Sequence, residues 1–413
     1  MDKLLILGAT YHEVELIRRA QAKGIYVIAA DSNKDWSKSP AKYVADEAWD
    51  ISWSDIESLR DRSIESGVRG VLAGFSEFRV ENMIRLCDEL DLPCALTMEQ
   101  LDLTRDKLKF KSLCLKYGIP VVPEYSYGDA MDFPVIIKPV DRAGSIGINV
   151  AHTQEEFEEY YKIAYDLSPS RSVVIEDFIN DGIKVDVYYF VKDGKIALLG
   201  TSDTVMCKGT SGAPILQKAW TFPSVHESAY LETVDACVRD MCNGIGIRNG
   251  YMTMSAFYRK GQFYFFEAGF RLSGELSYNY YNHLSGIHYM DTLIDYSMGI
   301  DNSDVYEDCW TLDRDKKSII LNFFAQDGCI NEITLPDLDG MELISDLYVK
   351  TGDNVSNPTT VFMKAAMFTI LGQDERKLVD AAMAVNSAFR IIDTYGNDMV
   401  YEKVSREELS HDR

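Results

Sequence analysis

Residues 136–150 read IIKPVDRAGSIGINV. An apolar run, which predicts a β-strand, ends at Lys138, and a polar stretch with Gly144, Ser145 and Gly147 follows before the chain becomes apolar again. A flexible loop containing glycines can direct successive backbone N–H groups at phosphate oxygens, while a serine adds a hydroxyl and a strand lysine adds positive charge. The stretch therefore indicates a phosphate site, although glycine loops between strands also occur without a ligand.

Length and charge narrow the class of protein. The chain has 413 residues, enough for about two or three domains. Its 42 Lys and Arg face 65 Asp and Glu, for a formal net charge of -23, which would repel a nucleic-acid backbone. No apolar stretch approaches the ~20 residues of a membrane span. Because MDKLLILGAT passes directly into a predicted strand, we expect a cytoplasmic protein without a signal peptide.

The first part of the chain alternates predicted strands and helices. KLLIL, IYVIAAD and VRGVLAGF are strand-like and flank amphipathic stretches, a pattern typical of a Rossmann-like parallel α/β domain. Gly8 follows the first predicted strand and Asp31 ends the next, as in a dinucleotide-binding domain. The first loop, however, lacks the later glycines of GxGxxG. Glu77 follows a strand at the edge where α/β sheets place ligands, so it is a candidate substrate contact. A solvated carboxylate without a function is the plainer alternative.

The middle of the chain has a different pattern. A helical region closed by Gly118 and Pro120 precedes the strands FPVIIKPV and SRSVVIEDFI. Two hairpins follow, one turned at Asp193 and Gly194 and the other near Gly261. Hairpins mixed with helices predict an α+β architecture. The last hundred residues predict strands around a turn and one amphipathic helix.

Five motifs occur in order across roughly residues 100–290: RDKLKFKSLCLKYGIPVVPEY, IIKPVDRAGSIGI, VVIEDFI, TFPS and FFEAGFRLSG. In this order and spacing the chain resembles the ATP-grasp superfamily. The similarity is to its carboxylate–amine ligases, which are related to the carbamoyl-phosphate synthase large subunit and phosphoribosylglycinamide synthetase. The resemblance implies a nucleotide held between two α+β subdomains, with the glycine-containing loop closing over its phosphates.

The resemblance also implies a division of the chain. Residues 1–98 would form the N-terminal α/β domain, residues 99–309 the ATP-grasp domain, and residues 310–413 a small C-terminal α+β lobe. Within the second domain, residues 141–149 would be the glycine-containing loop and residues 174–179 the hinge beside the adenine.

The nucleotide contacts follow from the same resemblance. Lys107 and Lys138 would contact the phosphates, and backbone groups of Glu176, Asp177 and Phe178 would bind the adenine edge. Lysines supply point charges to phosphates. If the resemblance did not hold, Lys107 would be an ordinary solvated helix residue. The remaining nucleotide contacts assigned to the loop and to the chain after the hinge are Arg142, Gly144, Ser145, Gly147 and Lys184.

The motif FFEAGFRLSG contains the residues predicted to carry the chemistry. Glu267 would bind a metal ion, because Mg²⁺ prefers carboxylate and phosphate oxygens, and Mn²⁺ could replace it. Arg271 could hold the transferring phosphoryl group or an acyl phosphate with its planar guanidinium. A structural ion pair between these two residues is the alternative.

The chain departs from the family pattern at three positions. Ser255 stands where many relatives carry a second metal-binding Glu or Gln, Gly269 where many have Asn, and Lys184 where an acidic residue often binds the ribose. Glu275 or Asp186 could supply the missing carboxylate.

The predicted activity is that of an ATP-dependent carboxylate–amine ligase. ATP would phosphorylate a carboxylate, and an amine would attack the acyl phosphate, releasing ADP and phosphate. The partners would be a small-molecule carboxylate and an amine, contacted by Glu77 and by two lysines in or near DTVMCKGTSGAPILQKAW, Lys208 and Lys218. A homodimer is possible. The alternatives are a purine-pathway or carbamoyl-phosphate-synthase-like ligase, and a nucleotide sensor or scaffold without catalysis.

Overall fold

The structure is a computed structural model. It describes residues 1–142, 146–207, 216–300, 312–338, 340–357 and 362–410. Within these ranges, no helix combines the length and the apolar character needed to cross a membrane.

The N-terminal part is a parallel α/β sandwich, as its alternating pattern predicts. Its elements are β1 (Lys3–Leu7), α1 (Tyr11–Ala22), β2 (Tyr26–Ala30), β3 (Glu47–Trp49), α2 (Ile56–Ser66), β4 (Val68–Leu72) and α3 (Glu77–Leu90). The strand order is β3-β2-β1-β4. Helices cover the sheet, which is why its strands are apolar runs. The guanidinium of Arg79 fills the space beside Gly8, where a dinucleotide would need close backbone approach.

A small antiparallel sheet follows two helices. The elements are α4 (Met98–Arg105), α5 (Lys107–Lys116), β5 (Glu124–Tyr125), β6 (Val135–Pro139), β7 (Asn149–Ala151), α6 (Gln154–Leu167) and β8 (Val173–Asp177). Its order is β5-β8-β6-β7. This lobe has its own core, which includes Ile137, Phe157 and Ile175. The glycine-containing loop joins β6 to β7, so both of its ends are fixed by a paired strand.

Long antiparallel strands then build the main sheet. The elements are β9 (Ile183–Lys192), β10 (Lys195–Met206), β11 (Gln217–Phe222), α7 (Glu227–Thr233), α8 (Asp235–Gly244), β12 (Gly250–Arg259), β13 (Gln262–Gly269), α9 (Tyr278–Ser285) and α10 (Tyr289–Ser297). Both predicted hairpins are present. Asp193 and Gly194 have φ of 52° and 83°, the left-handed conformation that a two-residue turn requires.

The last strands extend the same sheet. The elements are β14 (Lys317–Ala325), β15 (Gly328–Thr334), β16 (Glu342–Leu347), β17 (Asn354–Val355), β18 (Met363–Gly372), α11 (Glu375–Ala388), β19 (Arg390–Asp393) and α12 (Arg406–Leu409). The eight-stranded sheet has the order β13-β12-β9-β10-β11-β14-β18-β16, and β17-β15-β19 form a small separate sheet. Strands from both sides of the predicted boundary at residue 309 thus share one sheet. The domain boundaries stay a prediction.

Candidate active site

A cavity of about 330 Å³ lies against one face of the eight-stranded sheet. It is the place where the structure brings together most of the residues predicted near the chemistry. The predicted residues that line it are Glu77, Lys184, Asp186, Ser255, Glu267, Arg271 and Glu275.

Strand register explains how three of these residues meet. Ser255 on β12 lies directly opposite Glu267 on β13, and on its other side it lies opposite Asp186 on β9. Residues directly opposite each other in antiparallel strands project to the same face of a sheet. The three side chains therefore form a row across neighbouring strands, on the wall of the cavity.

The N-terminal domain contributes Glu77, the first residue of α3. Its carboxylate lies 3.9 Å from the guanidinium Nε of Arg271. Burial raises the pKa of Glu77; Arg271 opposes this shift, and the nearby Glu267 adds to it. Among the described residues, the ion pair of Arg271 is with Glu77 and not with Glu267. Glu77, Glu267 and Arg271 thus lie close together on one part of the cavity wall.

Asp186 is enclosed by donors. Lys184 Nζ donates to both carboxylate oxygens at 2.6 Å, Thr204 donates to Oδ2 at 2.7 Å, and Ser255 donates to Oδ1. These four hydrogen bonds, from three side chains, fill the approximately four acceptor positions of a carboxylate. The expectation that Asp186 could replace a missing metal ligand therefore needs correction, because each of its acceptor positions is taken. Lys184 forms an ion pair with Asp186. Its predicted contact with the ribose would require this ion pair to break.

Glu275 has partners of its own beside the cavity. It accepts hydrogen bonds from Ser277 at 3.1 Å and from Ser273. Its charge also stabilises the protonated form of Lys364. Glu275 therefore retains a place on the cavity wall, held by two hydroxyl groups.

Lys107 connects helix α5 to the base of the glycine-containing loop. Its Nζ donates to the carbonyl oxygens of Val140, at 3.2 Å, and Arg142, at 2.9 Å. Burial lowers the pKa of Lys107, Glu267 counteracts this shift, and Lys138 adds to it. Lys107, Lys138 and Glu267 are thus neighbours, which places the predicted phosphate contacts beside the predicted metal ligand.

Lys138 lies in a buried charge cluster with Glu176. Glu176 pairs with Lys138 and, at 2.6 Å, with Lys111. Burial disfavours the charged form of Glu176, but the two lysines outweigh it and hold its pKa below the usual range. Lys138 Nζ also lies 5.4 Å from the ring centroid of Phe266. This cluster joins the small sheet to strand β13, next to Glu267.

The predicted hinge is part of the small sheet. The backbone N–H of Asp177 donates to Pro123 O at 3.1 Å, and that of Phe178 donates to Pro134 O at 3.2 Å. The Asp177 carboxylate accepts a hydrogen bond from Tyr125 at 2.6 Å. Because both N–H groups are already bonded, adenine recognition by this segment would rely on carbonyl oxygens or on the residues that follow. Its role stays a prediction.

The other predicted residues are dispersed. Gly144, Ser145 and Lys208 lie outside the described residues. Gly147 has φ 77°, and a Cβ there would lie 2.9 Å from Pro139, so the loop requires glycine. Arg142 donates from Nε to Leu167 O at 2.8 Å.

Lys218 is separated from the cavity. It is buried and pairs with Glu402 and, at 2.9 Å, with Glu408. It does not line the cavity. Its ammonium group instead lies beside Glu402 and Glu408 of the C-terminal segment, which neutralise its charge. The expected substrate contact therefore finds no support in the structure.

Several other lining residues were not predicted individually from the sequence. They include Trp220, Thr253, Asn322, Phe324 and Lys364. One signal was available, since Lys364 is the charged residue within the otherwise apolar strand MKAAMFTILG. The others look like ordinary strand residues.

Comparison with known proteins gives one family match. Residues 109–279 match the family described as carbamoyl-phosphate synthase L chain, ATP binding domain. The chain is also 26% identical, over 267 residues, to a formate-dependent phosphoribosylglycinamide formyltransferase of Trichormus variabilis. That match covers 60% of this chain and 64% of the relative, which is less than two thirds of its length.

Solved structures share the fold over nearly the whole chain. The biotin carboxylase domain of Hydrogenobacter thermophilus 2-oxoglutarate carboxylase, a dimer in complex with MgADP, ADP and bicarbonate, gives a TM-score of 0.78 at 20% identity, covering 97% of this chain and 91% of that one. An L-amino acid ligase from Bacillus licheniformis gives a TM-score of 0.76 at 17% identity, covering 95% and 99%.

Proposed function

We propose that this chain, whose residues 109–279 form an ATP-grasp ATP-binding domain of the carbamoyl-phosphate synthase L chain type, is an ATP-dependent carboxylate–amine ligase. The family match confirms the resemblance that the ordered motifs indicated, and the structural neighbours confirm the predicted fold class. In the proposed reaction, a substrate carboxylate oxygen takes the γ-phosphoryl group of ATP and ADP leaves. The amine nitrogen then attacks the acyl carbon, phosphate leaves, and the amine gives up a proton.

One observation carries this proposal. Glu267, Arg271 and Glu77 converge in one cavity, and Lys107, at the base of the glycine-containing loop, is an electrostatic neighbour of Glu267. Phosphoryl transfer depends mainly on positioning and charge neutralisation. A cation beside carboxylates, next to the glycine-containing loop that would bind the phosphates, would provide both.

The cavity residues fit a magnesium ion. Mg²⁺ typically uses one or two protein carboxylates together with substrate phosphates and water, and Glu267 is a carboxylate on the cavity wall. Glu267 would hold the ion, and Glu77 and Glu275 are further carboxylates on the wall of the same cavity. The ion would neutralise charge on the phosphates. Mn²⁺ accepts the same oxygen ligands.

The protein residues would divide the remaining work. Arg271 would hold the negative oxygens of the transferring phosphoryl group and of the acyl phosphate. Glu77 would accept a hydrogen bond from the amine. Because burial raises the pKa of Glu77, its carboxylate is better suited than an exposed one to take the proton that the amine must lose.

A second candidate is a nucleotide sensor without catalysis. The observation in its favour is the cage around Asp186, whose acceptor positions are filled by Lys184, Thr204 and Ser255. Fewer carboxylates then remain for a metal ion. The other alternative is a purine-pathway or carbamoyl-phosphate-synthase-like ligase. The formate-dependent phosphoribosylglycinamide formyltransferase relative is the observation in its favour, and this alternative changes the proposed substrates but not the proposed fold.

Two further proposals concern the whole protein. A homodimer is supported by the dimeric biotin carboxylase domain among the structural neighbours. A cytoplasmic location, predicted from the sequence, agrees with the use of ATP and stays a prediction.

ADP release tests the proposed reaction. The purified protein is incubated with MgATP and pairs of carboxylates and amines, and ADP is measured with Glu267→Gln alongside. We expect release that requires both substrates and falls on the order of 10² to 10³ in the variant. Glu65→Gln, on the exposed side of α2, is the control. Nucleotide binding without ADP release for any pair would favour the sensor, and an unchanged rate in Glu267→Gln would contradict the role of Glu267.

A further inference from the structure

The part of the cavity farthest along the sheet from Glu267 is built by the C-terminal strands. Phe324 on β14 lies opposite Lys364 on β18, and Asn322 lies opposite Met367 on the same pair of strands. Asn322, Phe324 and Lys364 all line the cavity. No role in the proposed phosphoryl transfer uses these residues.

Lys364 is a half-buried cation. Its Nζ donates to Gly274 O at 2.9 Å and to Met367 Sδ at 3.4 Å, which leaves one of its three N–H donors for another partner. Within the part of the chain that the structure describes, no carboxylate lies within 4.0 Å of Nζ. Burial lowers the pKa of Lys364 to about 8, against the stabilising charges of Glu275 and Asp346, so it is charged at neutral pH. A desolvated cation without a contacting anion favours an anionic ligand.

Asn322 supplies an unpaired acceptor. Its side chain is 5% exposed, and Nδ2 donates to Gln217 O at 2.8 Å. Its Oδ1 has no hydrogen-bond partner in the described structure. A buried acceptor without a donor is costly, and here the acceptor belongs to a residue on the wall of the cavity.

Apolar side chains complete this part of the wall. Leu216, Trp220 and Phe324 line the cavity beside Asn322 and Lys364. Ligand sites commonly combine apolar walls with a few placed polar groups. The features together are a cation, a buried acceptor and an apolar surface.

From these features we propose that this part of the cavity binds an α-amino acid with an apolar side chain, its carboxylate on Lys364 and an N–H of its amino group on Asn322 Oδ1. The inference rests on the proposed ligase function. A carboxylate bound by Lys364 is not the one that takes the phosphoryl group in this assignment, so this amino acid is the amine substrate. Its nitrogen attacks the acyl phosphate of the other substrate, phosphate leaves, one proton is released, and the product keeps a free carboxylate.

Calorimetric titration in the presence of MgADP tests the carboxylate contact. The probes are L-phenylalanine and L-phenylalaninamide, which lacks the carboxylate. We expect wild type to bind the acid about 10- to 100-fold more tightly than the amide, the effect of one charge-assisted hydrogen bond. In Lys364→Met the difference should shrink to under about 3-fold, while Lys364→Arg should keep most of it. Lys317→Met, on β14 and paired with Glu375 at 3.1 Å, is the control.

The outcomes separate this inference from the proposed function. A preference for the acid that persists in Lys364→Met, or no preference in wild type, overturns the inference. MgADP binding without any binding of L-phenylalanine also overturns it and leaves the proposed function standing. Absence of MgADP binding would instead contradict the nucleotide site.

The pH dependence of wild type gives a second measurement. Lys364 is protonated below its pKa of about 8, so affinity for L-phenylalanine should be high at pH 7 and fall as pH rises through 8 more steeply in wild type than in Lys364→Met, where the amino group of the ligand still titrates. The other titratable groups facing it are Glu275, Asp346, His12 and Tyr348. Asp346, with a pKa raised to about 6, and His12, with a pKa lowered to about 3, titrate below this window, and burial raises the pKa of Tyr348 above it. A flat profile between pH 7 and 9 would overturn the contact.

Discussion

Gly269, at the end of strand β13, lies where that strand meets the first residue of helix α3. A Cβ at this position would lie 3.0 Å from Glu77 Oε1 and 3.8 Å from Arg271 Nε. Many ATP-grasp relatives have Asn here, and the sequence alone made Gly269 a departure from the pattern. In the structure, the carboxylate of Glu77 occupies the space into which a side chain would project. The absence of a side chain at Gly269 therefore leaves room for the carboxylate of Glu77.

Substitution of Gly269 tests this arrangement. In Gly269→Ala, the new methyl group would press on Glu77 and move its carboxylate by a few tenths of an ångström or rotate it away from Arg271. A misplaced catalytic group typically lowers the rate by up to about 10², so we expect slower ADP release with an unchanged Kd for MgADP. Release assays and calorimetry on one preparation measure both.

Gly74→Ala is the matched control for this substitution. A Cβ at Gly74 would meet Leu16 at 3.7 Å, an ordinary contact, so we expect the wild-type rate. Equal rates in the two variants would contradict the role assigned to the space beside Gly269.

Single residues differed in how far the sequence could predict them. Glu267 and Arg271 stand in a motif four residues apart, and Glu77 follows a strand in an α/β pattern, so local pattern was enough. Asn322 and Lys364 come from strands that approach the site only when the sheet is assembled, and no local pattern marks them as site residues. Asp186 was predicted to be available because the sequence does not show which donors surround it.

At the scale of elements, strands β9, β10 and β12 together enclose one buried carboxylate, that of Asp186, and we call this arrangement the charge-holding unit. β9 carries Lys184 and Asp186, β10 carries Thr204, and β12 carries Ser255, and all four side chains meet at the Asp186 carboxylate. Asp186 is 4% exposed and Lys184 is 8% exposed. A buried carboxylate of this kind depends on its cation.

A double-mutant cycle tests the dependence. Lys184→Met would leave a buried carboxylate without a cation, and we expect a loss of about 3 to 5 kcal/mol in the free energy of unfolding. Adding Asp186→Asn removes the charge and should recover most of that loss. Urea unfolding of the four proteins measures the coupling.

The cycle has a control on the same strand. Lys192→Met removes a lysine at the end of β9, whose partner Asp193 is 63% exposed, and should cost under about 0.5 kcal/mol. If the effects of Lys184→Met and Asp186→Asn simply added, the charge-holding unit would be refuted.

Elements were predictable where their signals are local. The Asp193–Gly194 turn and the apolar strands of the N-terminal sheet follow from residue type and spacing. The order of the eight-stranded sheet does not, because β11, β14 and β18 are neighbours through pairing of residues far apart in the chain. That pairing depends on burial of whole strand faces, which a single sequence does not display.

In the whole molecule, one core supports both sides of the active site. Buried residues of the N-terminal sheet, such as Leu5 and Val71, belong to the same hydrophobic cluster as Tyr188 and Phe265 of the eight-stranded sheet. Packed cores resist deformation, so Glu77 is held in position relative to Glu267. The small sheet and helix α6 have a separate core, so we expect these elements to move more easily than the rest of the described structure.

The charge of the molecule also bears on its function. The chain has a net charge of -23, yet Lys107, Lys138, Arg271 and Lys364 lie in or beside the candidate site. A local cluster of cations within an acidic molecule attracts small anions while the remaining surface repels polyanions. ATP and a carboxylate match this distribution, and nucleic acid does not.

The measurement that tests the central claim most directly is calorimetric titration with a non-hydrolysable ATP analogue, with and without Mg²⁺. Wild type and Glu267→Ala are compared, with Glu65→Ala as the control. We predict that Mg²⁺ strengthens binding to wild type and to the control, and that Glu267→Ala loses this dependence, because Glu267 would hold the ion that bridges protein and phosphates. Equal affinity in all three proteins regardless of Mg²⁺, or no binding of the analogue, would contradict the account.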